Sequence, residues 1–122
     1  MAAFNWINVE TQCPVCRDVV RLRCQTHVAS DHAGDATGRF HDRDYELGQP
    51  MAWWPREHER FDAWRGGRWR AEERAPGFDQ EACYATCTCG AELYVVVRFR
   101  ENVPERVVAV GKEADWPDEY LK

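Results

Sequence analysis

The chain has 122 residues, of which 44% are hydrophobic and 30% are charged, and its formal net charge is −5. This length suits one domain with a single core, so residues 1–122 are read as one unit. No apolar run approaches the roughly 20 residues of a membrane-spanning helix, which argues against a membrane partner. The acidic balance argues against the uniformly basic surface that nonspecific nucleic-acid binding uses.

The N-terminal residues lack the basic region and apolar stretch of a secretory signal, so we expect a cytoplasmic protein. In that reducing compartment, six cysteines are better explained as free thiols and metal ligands than as three disulfides. The acidic charge favours a basic protein as partner.

Alternating hydrophobicity predicts the strands of the first half. Residues 4–12 alternate loosely and predict a short strand, whereas residues 19–28 alternate clearly. The apolar face of the second strand consists of Val20, Leu22, Cys24, Thr26 and Val28. Residues 30–44 are rich in turn formers and predict a loop. Residues 45–54 are extended but interrupted by a glycine and a proline, which predicts an edge strand or short strand pieces.

The middle of the chain has two interpretations. Pro55 can begin a short helix that runs to Trp64 and stops at Gly66. The alternative is a hairpin turning at the double glycine, which would place Arg65 opposite Arg68 as an unfavourable like-charge pair. We favour the helix.

The last third of the chain predicts a hairpin. Residues 74–80 contain a Pro-Gly pair and predict a loop. Residues 91–100 predict a strand and residues 106–110 its antiparallel partner. The strand's apolar face is Leu93, Val95, Val97 and Phe99. The expected architecture is mainly β (β-rich α+β), with a small antiparallel sheet made by residues 19–28 and this hairpin, one short helix, and a tail docked by Trp116.

Two closely spaced cysteine pairs give the strongest chemical signal: Cys13-Pro-Val-Cys16 and Cys87-Thr-Cys89. Zinc prefers four soft ligands in a tetrahedron, and such turns present two sulfurs to one metal while nearby N–H groups donate to them. Gly90 follows the second turn and permits a positive φ. The two pairs predict one structural zinc ion.

Three alternatives concern the same cysteines. Free thiols in a core are one, since cysteine is often buried. A redox-active pair is another, but such a pair usually lies at a helix N-terminus, and Cys13 and Cys16 lead into a strand. Cys83 is a competing ligand that could replace Cys87 or Cys89, whereas Cys24 on its apolar strand face is predicted to be a buried, inert thiol.

The first cysteine turn followed by a strand, and Cys87-Thr-Cys89-Gly90 followed by a hairpin, resemble a zinc ribbon whose two knuckles are separated by a long insertion, about residues 29–82. Residues 22–27 and 45–48 are similar to small bacterial zinc-ribbon-like proteins of unassigned function. The second turn departs from the ribbon pattern, which has two residues between its cysteines. The resemblance implies a metal site and a β-rich frame but no activity.

A catalytic zinc site is a more specific alternative to a structural one. It would have three protein ligands, an open coordination position and a carboxylate base. The candidate ligands are His27, His32, His41 and His58, two of them beside Asp31 and Asp42. Histidines and aspartates in a turn-rich segment are more simply explained as solvated loop residues, and no His-x-x-x-His spacing supports a site.

Arginines and tryptophans alternate over residues 64–70, as on surfaces that bind single-stranded nucleic acid. The residues that would make such contacts are Arg65, Arg68, Trp69 and Arg70. Acidic neighbours on both sides weaken the local positive field. We therefore predict a non-enzymatic, zinc-stabilised domain that acts through protein contacts, with an inhibitor or immunity-type role toward a basic partner as one form. Nucleic-acid binding is the alternative, and a metalloenzyme the second alternative.

Overall fold

The computed structural model describes residues 4–28, 43–53, 57 and 78–120. Its strands are β1 (Asn5–Gln12), β2 (Val19–Thr26), β3 (Asp44–Glu46), β4 (Phe78–Thr86), β5 (Glu92–Arg100) and β6 (Val103–Lys112), followed by one 3-10 turn (Glu113–Asp115). The described part is mainly β, as predicted. Among these residues, no helix is long and apolar enough to cross a bilayer.

One curled sheet contains all six strands, in the order β3-β1-β2-β4-β5-β6. β1 and β2 form one hairpin, β4 and β5 form another, and β6 returns antiparallel along β5. The short edge strand β3 pairs parallel with β1. β2 and β4 are adjacent and antiparallel, with Gln25 opposite Tyr84. This arrangement brings the β1–β2 turn and the β4–β5 turn to the same end of the sheet.

The core lies on the inner face of the curled sheet, and the alternation in β2 and β5 predicts it correctly. In β5 the four predicted inward residues are all at most 1% exposed. In β2, Leu22, Cys24 and Thr26 are buried, and Val20 is half-buried. Ile7 and Val9 of β1 complete the layer. Burying an aliphatic side chain of this size contributes about 1.5–3 kcal/mol, which explains why the register of these strands is well defined.

The segment after β3 bonds to the residues around the start of β6. These bonds join the two edges of the curled sheet, away from the central β2–β4 pairing. The Gly48 N–H donates to the carbonyl oxygen of Pro104 at 2.7 Å. The Met51 N–H donates to the carbonyl of Asn102 at 3.0 Å, and the Asn102 Nδ2 donates back to the carbonyl of Met51 at 2.7 Å. These bonds connect the chain after one edge strand to the start of the other edge strand.

The tail docks on the outer face of the sheet through Trp116, as predicted. The Trp116 ring lies 4.6 Å from the ring of Tyr84 and 6.2 Å from that of Tyr94, measured between centroids. Its Nε1 donates to the carbonyl of Tyr120 at 3.1 Å. The Tyr120 hydroxyl donates in turn to Oε1 of Gln80 at 2.9 Å, which ties the tail to β4.

Two sequence expectations need correction. Residues 74–80 are predicted as loop, but β4 begins at Phe78. The predicted sheet consists of residues 19–28 and the C-terminal hairpin with no strand from residues 78–86, whereas β4 lies between β2 and β5. The predicted helix from Pro55 to Trp64 and its hairpin alternative lie outside the described residues, apart from Glu57.

Candidate metal centre

The first knuckle, residues 13–18, is the turn between β1 and β2. The Cys13 N–H donates to the carbonyl of Asp18 at 2.9 Å, and the Arg17 N–H donates to the carbonyl of Cys13 at 2.9 Å. Arg17 has a left-handed backbone with φ 68°, which turns the chain back toward β2. The Gln12 Nε2 donates to the carbonyl of Arg17 at 2.9 Å. These bonds fix the turn that carries the first two cysteines.

Backbone N–H groups inside this turn point at sulfur. The N–H groups of Val15 and Cys16 lie 3.4 and 3.5 Å from the Sγ of Cys13. The Cys16 N–H lowers the pKa of the Cys13 thiol most, and despite opposing desolvation that pKa is lowered to about 7. A thiolate is the form that binds metal, so the turn prepares Cys13 as a ligand.

The second knuckle, residues 87–91, is the turn between β4 and β5. The Cys87 N–H donates to the carbonyl of Ala91 at 2.9 Å, and the Gly90 N–H donates to the carbonyl of Cys87 at 2.8 Å. Gly90 has φ 92°, which confirms the prediction of a positive φ there. Glycine adopts this conformation without the steric penalty that a Cβ brings.

The two knuckles bring together four sulfurs, those of Cys13, Cys16, Cys87 and Cys89, called here the four-cysteine group. All four atoms lie within 4.8 Å of one another. Across the hairpins, the Sγ of Cys13 is 3.9 Å from that of Cys89, and the Sγ of Cys16 is 3.8 Å from that of Cys87. A tetrahedron with zinc–sulfur bonds of about 2.3 Å has edges of about 3.8 Å. The group therefore has the donor set and the spacing of a tetrahedral site.

The pKa of the Cys16 thiol is set by opposing influences. The N–H of Asp18 lowers that pKa, but desolvation and the other three sulfurs outweigh it and raise the pKa to about 12. Such opposed pKa values are expected where several thiols share one small volume, because not all of them can ionise without a counter-charge. A divalent cation supplies that counter-charge when it binds thiolates.

Cys83 does not join the four-cysteine group. It is fully buried in β4, where its Sγ lies 3.9 Å from the carbonyl of Glu81, and burial raises its pKa well above the usual value. Cys24 is also buried, and desolvation raises its pKa to about 12. Both are neutral core thiols at neutral pH, as predicted for Cys24.

The remaining predicted site residues are placed only in part. His27 is exposed just after β2, and its ring contacts that of Tyr84 edge-to-face at 6.5 Å. The other candidates lie outside the described residues: His32, His41, His58, Arg65, Arg68, Trp69 and Arg70. The catalytic and nucleic-acid hypotheses built on them stay predictions.

An open groove of about 540 Å³ lies between β1 and β6. It was not predicted from the sequence. Its walls are residues 10–12, Leu47 and residues 107–110, and Glu10 is the single ionisable side chain among these described lining residues. The groove forms because the sheet curls until β6 approaches β1. That curl depends on long-range contacts, which local sequence patterns do not reveal.

No protein-family model, curated protein or solved structure matches this chain. The case for a metal centre therefore rests on the geometry and chemistry of the chain's own four-cysteine group.

Proposed function

We propose that the four-cysteine group holds one structural zinc ion, and that the chain is a non-enzymatic domain acting through protein contacts. The observation that carries the proposal is the set of four sulfurs within 4.8 Å of one another. Two of their separations, 3.9 and 3.8 Å, match the edge of a zinc–thiolate tetrahedron. Four thiolates are the donor set of closed structural sites, whereas catalytic zinc keeps an open position and commonly uses histidine. Thiolates in a tetrahedron also suit iron, so the metal's identity is part of the test.

The four-cysteine group lies where a bound metal would join the two halves of the sheet. The first half of the sheet contains β1, β2 and β3, and the second half contains β4, β5 and β6. Between the described residues of β2 and β4, the backbone pairing is the single pair Gln25 and Tyr84. Each half contributes one knuckle to the group. A metal bound there joins the halves at the end of the sheet where this pairing is absent.

Surface features support contact with a protein, and a basic one in particular. Val15 in the first knuckle and Val19 at the start of β2 are 48% and 69% exposed. Two exposed valines close together in the chain offer apolar surface that a protein partner would cover, although they are smaller than a typical interface patch. The segment after β6 carries only acidic charges over residues 113–119, and the chain as a whole has a net charge of −5. An inhibitor or immunity-type role toward a basic protein agrees with this charge.

Native mass spectrometry of the reduced, purified protein tests the metal. The expected mass is that of the chain plus one zinc ion, with the metal lost on acidification or prolonged chelation. A metal-free protein, or one carrying iron, contradicts the zinc assignment.

Titration with DNA and RNA at several salt concentrations tests the mode of action. The proposal expects no binding even at low salt. A strongly salt-dependent affinity that Arg68→Ala weakens supports the nucleic-acid alternative instead.

A further inference from the structure

We propose that peroxide converts the metal centre into a disulfide between Cys13 and Cys89, so that the metal is released while the two halves of the sheet stay joined. This inference rests on the proposed zinc site. It assigns the domain a chemical response that a purely structural metal site does not have: the same two hairpins are held by zinc when reduced and by a covalent bond when oxidised.

The sulfur that reacts first with peroxide is the one most exposed to solvent. Of the six cysteines, Cys89 alone is exposed, Cys16 is half-buried and the others are buried. Oxidation follows thiolate character and exposure. A zinc ligand is a thiolate regardless of pH near neutrality, so Cys89 combines both requirements.

Chain spacing and the distance between sulfurs favour Cys13 as its partner. Cys87 lies in the same turn with one residue between, and a disulfide closing so small a ring departs from relaxed disulfide geometry and stores strain. The Sγ of Cys13 lies on the other hairpin, 3.9 Å from the Sγ of Cys89. Disulfide formation shortens this distance to about 2.05 Å.

The step balances with one molecule of hydrogen peroxide. The Cys89 thiolate attacks one peroxide oxygen, the O–O bond breaks, and a sulfenic acid and hydroxide form. The Cys13 thiolate then attacks the Cys89 sulfur, forming the S–S bond and displacing a second hydroxide. Two electrons pass from the two sulfurs to the peroxide, and two protons from the buffer convert the two hydroxides to water. The metal keeps only Cys16 and Cys87, which is half of its ligand set, and dissociates.

The experiment treats the zinc-loaded protein with one equivalent of hydrogen peroxide in the presence of a chromophoric zinc chelator. We expect release of one zinc per chain, an intact mass lower by two hydrogens, and a cross-linked peptide containing Cys13 and Cys89. Cys24 and Cys83 should stay reduced, and far-ultraviolet circular dichroism should keep its strand signature. Reductant with added zinc should restore the starting state.

The matched control is Cys83→Ala, which removes a buried thiol outside the group and should release zinc at the wild-type rate. The disulfide connectivity of the oxidised wild type decides the proposal, because replacing Cys89 would also remove a zinc ligand. A disulfide within one knuckle, zinc retained after one equivalent, or unfolding on oxidation overturns the inference. If the protein carries no zinc, the proposed function fails, and disulfide mapping of the metal-free chain still decides which sulfurs pair.

Discussion

Besides the pairing of β2 with β4, two seams built from different chemistry join the two halves of the sheet. At the sulfur seam, the four-cysteine group gathers one pair of thiols from each half. At the hydrogen-bond seam, residues 48–51 bond to residues 102–104 through backbone groups and the side chain of Asn102. In our proposal the sulfur seam depends on a metal and on redox state, while the hydrogen-bond seam depends on neither. Each seam can therefore be broken without touching the other.

Breaking the sulfur seam should have the largest effect. Cys13→Ser removes a ligand whose sulfur also accepts two backbone N–H groups. Structural zinc contributes about 10 kcal/mol or more in small zinc domains, so we expect a loss of at least about 3 kcal/mol, roughly 10 °C in Tm for a domain of this size. Thermal unfolding with metal analysis measures both.

The control for this prediction is Cys24→Ser, the same substitution in a buried strand. It should keep one zinc per chain and cost far less stability. Equal losses for the two variants would show that Cys13 acts as an ordinary core thiol.

Breaking the hydrogen-bond seam should have an intermediate effect. Asn102→Ala removes the Nδ2 donor to the carbonyl of Met51, a part-buried bond of 2.7 Å. A bond of this kind contributes about 1 kcal/mol, and the unsatisfied partner adds to the cost, so we expect a loss of about 1–2 kcal/mol. Zinc content should not change. Denaturant unfolding of the zinc-loaded protein measures the loss.

Asn8→Ala is the matched control, because the Nδ2 of Asn8 makes only an exposed contact of 3.4 Å with Asp44. Its expected cost is below about 0.5 kcal/mol. A loss of zinc from Asn102→Ala would show that the two seams are coupled.

At neutral pH the smallest effect concerns the core thiols, whose ionisation lowers stability only in alkali. The pKa of Cys24 is raised from 9.0 to about 12 by burial. Because the unfolded chain ionises this thiol first, its contribution is complete below pH 9 and is lost as the pH rises toward 12, by about 1 kcal/mol at pH 9.5. Cys24→Ala should reduce the slope of stability against pH between 9 and 11, measured by denaturant unfolding. An unchanged slope would contradict the assigned pKa.

The sequence predicted those parts of the fold that local pattern determines. Alternation in β2 and β5 identifies their buried faces because every inward residue there is apolar or small. β4 was not predicted because its inward positions, Glu81, Cys83 and Ala85, do not form a clear hydrophobic alternation with the outward ones. The parallel pairing of β3 with β1 depends on the chain's return from a distant segment, which no local pattern encodes.

The same contrast applies to the site. Spacing identified the two knuckles, because the turn that presents two thiols is a local structure. Spacing left Cys83 as a competing metal ligand in place of Cys87 or Cys89, because it does not say whether the residues between Cys83 and Cys87 are extended. They are, since Cys83 lies within β4. At about 3.3 Å per residue, four residues of strand separate the two backbones by about 13 Å, too far for one metal.

X-ray absorption spectroscopy at the zinc edge of the purified, reduced protein tests the central claim most directly, because it reports the atoms bound to the metal. We predict a single shell of four sulfurs at about 2.3 Å. A shell containing nitrogen or oxygen ligands, fewer than four sulfurs, or no zinc absorption would contradict the account.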